Sequence, residues 1–312
     1  MSPMFPTVSV IVPVFNGERA LPRLMDSLRA QTYPRDCIEI ILVDNNSTDR
    51  SPEVMRRYPE AIPLAFAEWQ SSYAARNVGI QRATGEVLAF IDADCRAHPD
   101  WLRAGVSALI DKGADRIAGE VKFALPACPN TYERYDSACH FKMGEYVRRG
   151  WSGAGNLFVR RGVMETVGMF DPRLISGGDY EFGIRATRAG KTLAFASNAV
   201  VYHGARRSFR SLVKKKIRVQ YGAAQVYRRH GLLDRVSWRR LRNYRPILGQ
   251  WSHFPADVHG NARMRLFIDV FSNVLQWAGN AGNLAGCLAT PSVRGPAEIP
   301  FPPRASDDSK GG

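Results

Sequence analysis

The sequence predicts an α/β fold with a mostly parallel sheet, followed by a basic helical extension. Two observations indicate the α/β part: short apolar runs typical of buried strands occur, and they alternate with helical segments of about 10–15 residues. A change of charge and periodicity near residue 205 indicates the extension. The 312 residues are 45% hydrophobic and 23% charged. This composition is that of a globular protein and excludes the disordered and collagen-like classes.

Strands are predicted where short, largely β-branched apolar runs occur. They cover residues 8–13, 38–43, 87–91, 154–160 and 193–202. Helices are predicted where apolar residues recur every three to four positions, or where capping residues precede a helical segment. They cover residues 21–28, 72–83, 163–169, 180–189 and 264–288, with others ending at Met55, opening near Trp101 and starting at Ser208. Residues 113–160 are less regular up to the strand at 154.

The excess positive charge lies in one segment of the chain. The net charge is +14, and residues 206–245 hold 14 Lys and Arg but one acid, Asp234. Residues 1–205 hold 24 basic and 23 acidic residues. We therefore predict a main domain at 1–205, a basic, amphipathic helical extension at 206–290 and a disordered tail at 291–312. A solvated helix face normally balances the two signs, so the excess favours a polyanionic partner, either a membrane face or a nucleic acid.

Several features predict the cellular location. No stretch of 18 or more apolar residues occurs, so no membrane-spanning helix is expected. Residues 1–7 lack the features of a secretory signal. The five cysteines show no C-x-x-C spacing, which indicates reduced thiols in a cytosolic protein. Basic amphipathic helices lie in a membrane interface, so we expect a cytoplasmic protein attached peripherally to the cytoplasmic face of the cell membrane.

Acidic and amide side chains follow the predicted strands. Asn16 and Glu18 follow the first strand, Asp44 the second, and Asp92 and Asp94 the third. Ligands of open α/β sheets bind at these carboxyl ends. Asp44 alone could equally cap the next helix. Asp92 and Asp94 repel each other unless a cation joins them, and their oxygens suit Mg²⁺ or Mn²⁺ together with phosphate oxygens.

The common glycine-rich nucleotide motifs are absent. There is no G-x-x-x-x-G-K-[ST] pattern, and the nearest dinucleotide fingerprint, at 153–158, lacks the third glycine and leads into a strand. P-loop enzymes and Rossmann dehydrogenases are therefore poor fits. Without a cradle of backbone amides, a bound metal would have to neutralise the phosphate charge.

Four ordered motifs carry a family resemblance. They are VSVIVPVFNGE at 8–18, LVDNNSTD at 42–49, ARNVGI at 75–80 and FIDAD at 90–94. Together they resemble the family 2 glycosyltransferases of the GT-A fold, over about residues 7–205. The resemblance implies a GT-A sandwich, an inverting transfer from a nucleotide-diphosphate sugar, usually a UDP-sugar, and a divalent metal.

The resemblance also implies roles for the matching residues. Those implied to bind the nucleotide sugar are Pro13, Asn16, Glu18, Asp44, Arg76, Asp92 and Ala93. Asp44 would accept a hydrogen bond from the base, and Asp94 would ligate the metal. The segment 201–203 resembles one that supplies a histidine ligand in some members, here His203. A lone histidine at a strand end is equally often structural.

The implied catalytic base lies in the segment 176–182, which is similar to the acidic motif of the family. The family often has Glu-Asp there, whereas this chain has Gly178-Asp179. Asp179 is therefore implied as the general base and Glu181 is the alternative.

A further segment resembles a family stretch close to the acceptor and the donor sugar. It covers residues 151–156 and implicates Trp151, Gly155 and Asn156. The small residues would allow close approach. Trp151 could stack on a sugar ring or belong to the core.

The chemistry of the transfer explains these residue types. The acceptor hydroxyl must lose its proton as it attacks the anomeric carbon, and a positioned carboxylate accelerates that step by about 10²–10⁴-fold. A metal on Asp94 would stabilise the departing nucleoside diphosphate. Asp179 on the opposite face of the sugar would give inversion through an oxocarbenium-like transition state. We expect a lipid-linked or polysaccharide acceptor.

Two other functions remain open at the level of sequence. A basic nucleic-acid-binding protein would use the aromatic residues interleaved with arginines, which are Tyr221, Tyr227, Trp238 and Tyr244. It leaves the acidic strand ends unexplained, so we expect no nucleic-acid partner. A nucleotidyltransferase of the same fold would carry a Gly-rich loop with Arg and Lys after the first strand, where this chain has PVFNGE.

Overall fold

The computed structural model describes residues 5–230 and 262–288. The predicted tail at 291–312 lies outside the described residues, as do Asp234, Trp238 and Tyr244 of the basic segment. The strands within the described ranges form one mixed sheet. They are β1 (Val8–Val14), β2 (Ile38–Asp44), β3 (Ala61–Ala65), β4 (Val87–Ile91), β5 (Cys95–Ala97), β6 (Arg116–Ala124), β7 (Asn156–Arg160) and β8 (Leu193–Gly204). Their order is β3-β2-β1-β4-β7-β6-β8-β5.

The prediction of a mostly parallel sheet holds for the first half of the sheet only. Strand β1 pairs in parallel with β2 and β4, and β2 pairs in parallel with β3. Strand β7, however, runs antiparallel to both β4 and β6, and β5 runs antiparallel to β8. The prediction is corrected to a mixed sheet, because an apolar run indicates a buried strand but carries no information on its direction.

Helices cover both faces of the sheet. They are α1 (Leu21–Arg29), α2 (Ser51–Met55), α3 (Ser72–Arg82), α4 (Trp101–Asp111), α5 (Thr131–Cys139), α6 (Met143–Arg148), α7 (Arg161–Val167), α8 (Gly178–Arg188), α9 (Phe209–Arg229) and α10 (Ala262–Leu288). Val10 of β1 belongs to the core beneath α1 and α4, and the next residue, Ile11, belongs to the core beneath α3 and α8. This alternation is that of a strand buried on both sides.

Sequence periodicity missed the elements that are short or partly exposed. Strand β3 has alternately exposed residues around Pro63, β5 has three residues, and β6, α5 and α6 lie in the segment judged irregular. The strand predicted at 154–160 begins at Asn156, and the helix predicted at 163–169 covers Arg161–Val167. The fold therefore contains more regular structure between residues 113 and 155 than its sequence pattern predicts.

The two described helices of the extension pack against the main domain. Val226 of α9 is fully buried in the core beneath α8. Leu212 of α9 packs with Phe271 and Leu275 of α10 and with Tyr135 of α5. No helix within the described ranges is long and apolar enough to cross a bilayer. The division of the chain at 205/206 remains a prediction.

Candidate active site

The D-x-D sequence forms a tight turn between β4 and β5. The Cys95 amide donates a hydrogen bond to the Asp92 carbonyl across 3.0 Å, which closes the turn around Ala93. The Asp92 carboxylate accepts a hydrogen bond from the guanidinium of Arg76, a buried residue of α3. A Cβ at Gly155 would lie 2.8 Å from Asp92 Oδ2, so the glycine leaves room for this carboxylate.

The antiparallel pairing of β5 with β8 places Cys95 opposite His203, beside the D-x-D turn. His203 Nε2 lies 3.3 Å from Asp94 Oδ2, and the Asp94 side chain is 61% exposed while His203 is buried. Burial favours neutral His203, but the hydrogen bond and charge of Asp94 outweigh it and raise the pKa of His203. The same contact, acting against desolvation, lowers the pKa of Asp94.

The spacing of these two side chains fits a divalent ion. Two ligand atoms in adjacent positions around an ion with bonds of about 2.1 Å lie about 3 Å apart, close to the 3.3 Å between His203 Nε2 and Asp94 Oδ2. No group of three or more His, Cys, Asp or Glu able to hold a metal occurs in the part of the chain that the structure describes. The other positions around an ion would therefore be left to water and to phosphate oxygens of a substrate, as is usual for Mg²⁺.

The loops after β1 and β2 are tied together by two of the predicted nucleotide-binding residues. Asn16 Oδ1 accepts a hydrogen bond from the Thr48 amide at 2.8 Å. Glu18 Oε2 accepts one from the Arg50 amide at 3.0 Å. Both side chains therefore shape the loop that follows β2.

Asp44 keeps one carboxylate oxygen without a protein partner. Its Oδ2 accepts a weak hydrogen bond from the Ser47 amide at 3.3 Å, whereas its Oδ1 is buried and unpaired. Pro13 is buried in β1 beside Val43 of β2, next to the same strand ends. A buried, unpaired acceptor is costly unless a ligand donates to it, so Asp44 is suited to bind an N–H group.

Asp179 lies in the first turn of α8 and is held by three donors. The Tyr180 amide and the Tyr73 hydroxyl donate to its Oδ1 at 2.9 and 3.2 Å, and the Ala154 amide donates to its Oδ2 at 3.3 Å. Burial raises the pKa of Asp179 above its ordinary value, although Arg76 and these hydrogen bonds act in the opposite direction. The arrangement gives a fixed carboxylate with increased basicity.

Tyr73 is a site residue that the sequence analysis missed. A Cβ at Gly178 would lie 2.8 Å from the Tyr73 ring, so the ring occupies the space beside the position where the family often has glutamate. Burial raises the pKa of Tyr73, which keeps its hydroxyl protonated as a donor to Asp179. The available signal was the i, i+3 spacing of Tyr73 and Arg76, which places both on one face of α3.

Arg76 connects the base to the D-x-D turn. It pairs with Asp92, and its guanidinium carbon lies 5.6 Å from the centre of the Tyr73 ring, whose hydroxyl reaches Asp179. Gly155 lies beside the Asp92 carboxylate, and the amide of the preceding residue, Ala154, donates to Asp179. The structure thus brings the D-x-D turn and Asp179 into one region.

Asn156 does not have the expected contact with a sugar. Its side chain is fully buried, and its Oδ1 accepts from Trp101 Nε1 at 2.8 Å. Its Nδ2 donates to the carbonyls of Glu120 and Ala199, each at 2.9 Å. The prediction is wrong, because the side chain of Asn156 is fully used in hydrogen bonds that connect β7 with β6, β8 and α4 inside the protein.

Glu181 is not available as the alternative base. Both of its oxygens accept from Arg185, at 2.8 and 2.9 Å, and its Oε1 lies 3.3 Å from His230 Nε2. The residue is 5% exposed. This packing disfavours the alternative, because Glu181 is nearly buried and both of its oxygens already pair with a cation of the protein.

Trp151 lies in an aromatic cluster beside the base. Its ring stacks on Tyr146 at 4.2 Å between centroids and meets the Tyr180 ring edge-on at 5.3 Å. One face of the indole is therefore covered by protein. This packing favours the core alternative over stacking on a sugar.

The chain is similar to known glycosyltransferases along most of its length. Residues 9–162 match the family described as Glycosyl transferase family 2, and residues 87–279 match Glycosyl transferase family group 2. The chain is 42% identical over 246 residues to Glycosyltransferase AglE of Haloferax volcanii, which covers 77% of this chain and 79% of that protein. It is 25% identical over 239 residues to a Methanococcus voltae protein named dolichyl N-acetyl-alpha-D-glucosaminyl phosphate 3-beta-D-2,3-diacetamido-2,3-dideoxy-beta-D-glucuronosyltransferase, covering 70% of this chain and 72% of that one.

The fold is shared with solved structures as well. The mannosyltransferase PcManGT from Pyrobaculum calidifontis, in complex with GDP-Man and Mn²⁺, superimposes with a TM-score of 0.62 at 18% identity. The likeness covers 90% of this chain and 87% of that one. The eight-stranded mixed sheet with helices on both faces is thus a GT-A fold. Taken with the family matches and with the curated relative that is 42% identical, this establishes that the chain belongs to the family 2 glycosyltransferases and is a glycosyltransferase.

Proposed function

We propose that this glycosyltransferase transfers a sugar, with inversion, from a UDP-sugar to a hydroxyl group of a lipid-linked or saccharide acceptor, with Mg²⁺ or Mn²⁺. One observation carries the proposal. The carboxylate of Asp179 accepts a hydrogen bond from the Ala154 amide, and a Cβ at the following residue, Gly155, would lie 2.8 Å from Asp92 of the D-x-D turn. Base and leaving-group site are therefore close enough to act on one substrate.

Asp179 acts as the general base in this proposal. The Ala154 and Tyr180 amides hold the carboxylate in one orientation, which reduces the reorganisation needed when the acceptor hydroxyl arrives. Its raised pKa increases the driving force for taking the proton. Inversion follows if the hydroxyl attacks from the side of Asp179, opposite the diphosphate.

The D-x-D turn binds the diphosphate side of the donor. Asp94 and His203 would hold the divalent ion, which supplies Lewis-acid stabilisation of the leaving diphosphate when bound. Arg76 fixes Asp92 toward the ribose. Its Nε is buried without a protein partner, so it can donate to the nucleotide.

The free oxygen of Asp44 favours uracil over guanine as the base. Uracil presents a single N–H group on its pairing edge, which matches the single unpaired Oδ1. Guanine presents two adjacent N–H groups and would compete with the Ser47 amide for Oδ2. We therefore expect UDP to bind more tightly than GDP in a calorimetric titration.

A peripheral position on the cytoplasmic face of the membrane is proposed from the extension. Leu266, Val270 and Trp277 of α10 are 65%, 56% and 43% exposed, and their spacing places them on one side of the helix. A basic helix beside such an apolar stripe suits an anionic lipid surface. Flotation with anionic and with neutral vesicles tests this: we expect recovery with anionic vesicles, and equal recovery with both would contradict it.

The main experiment is a screen of nucleotide sugars for hydrolysis with Mn²⁺, repeated with chelator and with Asp94→Ala. Loss of the metal ligand removes a stabilisation of several kcal/mol, so we expect a decrease of about 10²–10³-fold. Asp111→Ala, an exposed aspartate at the end of α4, is the matched control and retains wild-type rates. Undiminished hydrolysis in Asp94→Ala would remove the metal assignment.

A further inference from the structure

A shallow groove lies between α9 and the loop that precedes α8. It has a volume of about 330 Å³ and is lined by Ile175, Lys214, Ile217, Arg218 and Tyr221. Ile175 and Ile217 are 42% and 39% exposed, so two large aliphatic side chains face water within one depression. Such a depression is suited to an apolar ligand.

The cations at the groove differ from two other cations of α9 in their partners. Lys215 pairs with the buried Asp136 at 3.3 Å, and Arg229 pairs with Asp171. Lys214 and Arg218, which are one helical turn apart and line the groove, pair with no carboxylate in the described ranges 5–230 and 262–288. The groove therefore combines an apolar lining with two cations that have no ion pair within these ranges, an arrangement suited to an anion such as phosphate.

The position of the groove relative to the base is set by packing. Ile175 precedes Asp179 by four residues, which an extended chain spans in at most about 14 Å. The α9 backbone lies against the same loop, because a Cβ at Gly222 would be 2.2 Å from the Ser176 carbonyl oxygen. One turn further on, the buried Val226 anchors α9 in the core. Ile175 at the groove is thus at most about 14 Å along the backbone from Asp179.

We propose that this groove binds the phosphate and the first apolar units of a lipid-phosphate-linked acceptor. Lys214 and Arg218 contact the phosphate, Ile175, Ile217 and Tyr221 contact the chain, and the sugar of the acceptor extends toward Asp179. The inference rests on the proposed function, because it takes the acceptor hydroxyl to meet Asp179. It narrows the acceptor class to amphiphiles that carry an anion next to an apolar chain.

The test measures binding of farnesyl phosphate to the full chain by calorimetry, without vesicles and below the concentration at which the probe forms micelles. We expect farnesol and inorganic phosphate each to bind at least about tenfold more weakly, because each lacks one half of the recognised group. Ile217→Gln should weaken binding of farnesyl phosphate about tenfold. Val219→Gln is the matched control, since Val219 is also 39% exposed on α9 but does not line the groove.

A second pair of variants tests the charge. Lys214→Gln should weaken binding of farnesyl phosphate about tenfold and leave that of farnesol unchanged, whereas Arg210→Gln, also on α9 but outside the groove, should match wild type. All four variants change exposed residues, and thermal unfolding confirms that they fold.

Three results would contradict the proposal that the groove binds the acceptor. The first is equal affinity for farnesol and farnesyl phosphate, and the second is an equal loss of affinity in the groove variants and their controls. The third is that the groove variants bind farnesyl phosphate normally but no longer bind anionic vesicles. The last result would assign the surface to the membrane instead. Donor hydrolysis is measured separately: its absence, with the groove binding intact, would count against the proposed function and leave the binding site standing.

Discussion

Two pairs of carboxylates, each two residues apart in the sequence, have different surroundings in this protein. Asp92 and Asp94 lie on a turn, where Asp94 stays 61% exposed and beside His203. Asp179 and Glu181 lie on α8, where residues two apart point in nearly opposite directions, so Asp179 faces Tyr73 while Glu181 is held by Arg185. The spacing of acidic residues thus predicts a shared site only when the element that carries them is known.

The variant Asp179→Asn should have the largest effect and tests whether Asp179, and not Glu181, takes part in the reaction. The amide oxygen can still accept a hydrogen bond from Tyr180, but the side chain cannot take a proton, so kcat should fall about 10²–10⁴-fold with little change in thermal stability. Steady-state kinetics with donor and acceptor measure the effect. A decrease of less than tenfold would show that another group is the base.

The complementary change is Glu181→Gln, which should affect stability instead of chemistry. It removes the charged partner of Arg185, but that side chain is 27% exposed and its guanidinium still donates to the Val167 and Met169 carbonyls, so the loss should be about 1–3 kcal/mol of unfolding free energy. Urea denaturation measures the loss. The folded fraction should keep kcat within a few-fold of wild type, and a decrease comparable to that of Asp179→Asn would return Glu181 to the reaction.

The smallest expected effect sharpens the role of Tyr73. Its hydroxyl donates to the charged form of Asp179, so Tyr73→Phe should raise the already elevated pKa of that carboxyl further. The base works only when deprotonated, so kcat/KM falls as pH drops through this pKa. The acidic limb of the profile should therefore move to higher pH.

A variant with the same loss of a hydroxyl provides the control. Tyr132→Phe, on α5 outside the site, should leave the pH profile at its wild-type position. An acidic limb that stays in place in Tyr73→Phe, with only a lower rate, would indicate that Tyr73 supports the packing around Gly178 and not the protonation of Asp179.

Much of the region proposed to bind the donor could be predicted from local pattern. The strands ending at Val14, Asp44 and Ile91 are buried on both faces, so their apolar runs were easy to recognise, and the residues after them lie at one edge of the sheet. The antiparallel course of β7 could not be predicted. The apolar sequence of β7 reflects its burial, whereas the direction of the strand depends on the path of the chain between strands.

The region around Asp179, proposed to meet the acceptor, was predicted less well, because its residues are defined by distant partners. Asn156 was expected at a sugar, yet its amide joins groups from three other elements. Tyr73 was missed because its partner Asp179 lies 106 positions further along the chain.

The sequence by itself determined the fold class, the family and the positions of Asp94 and Asp179, because these depend on local apolar runs and on ordered motifs. Only the tertiary structure decided which carboxylates have room for a substrate. That choice depends on basic and hydroxyl groups from elsewhere in the chain. Arg185 forms an ion pair with Glu181, whereas the Tyr73 hydroxyl donates a hydrogen bond to one oxygen of Asp179. Such pairings follow from packing between elements, which the local pattern of residues does not encode.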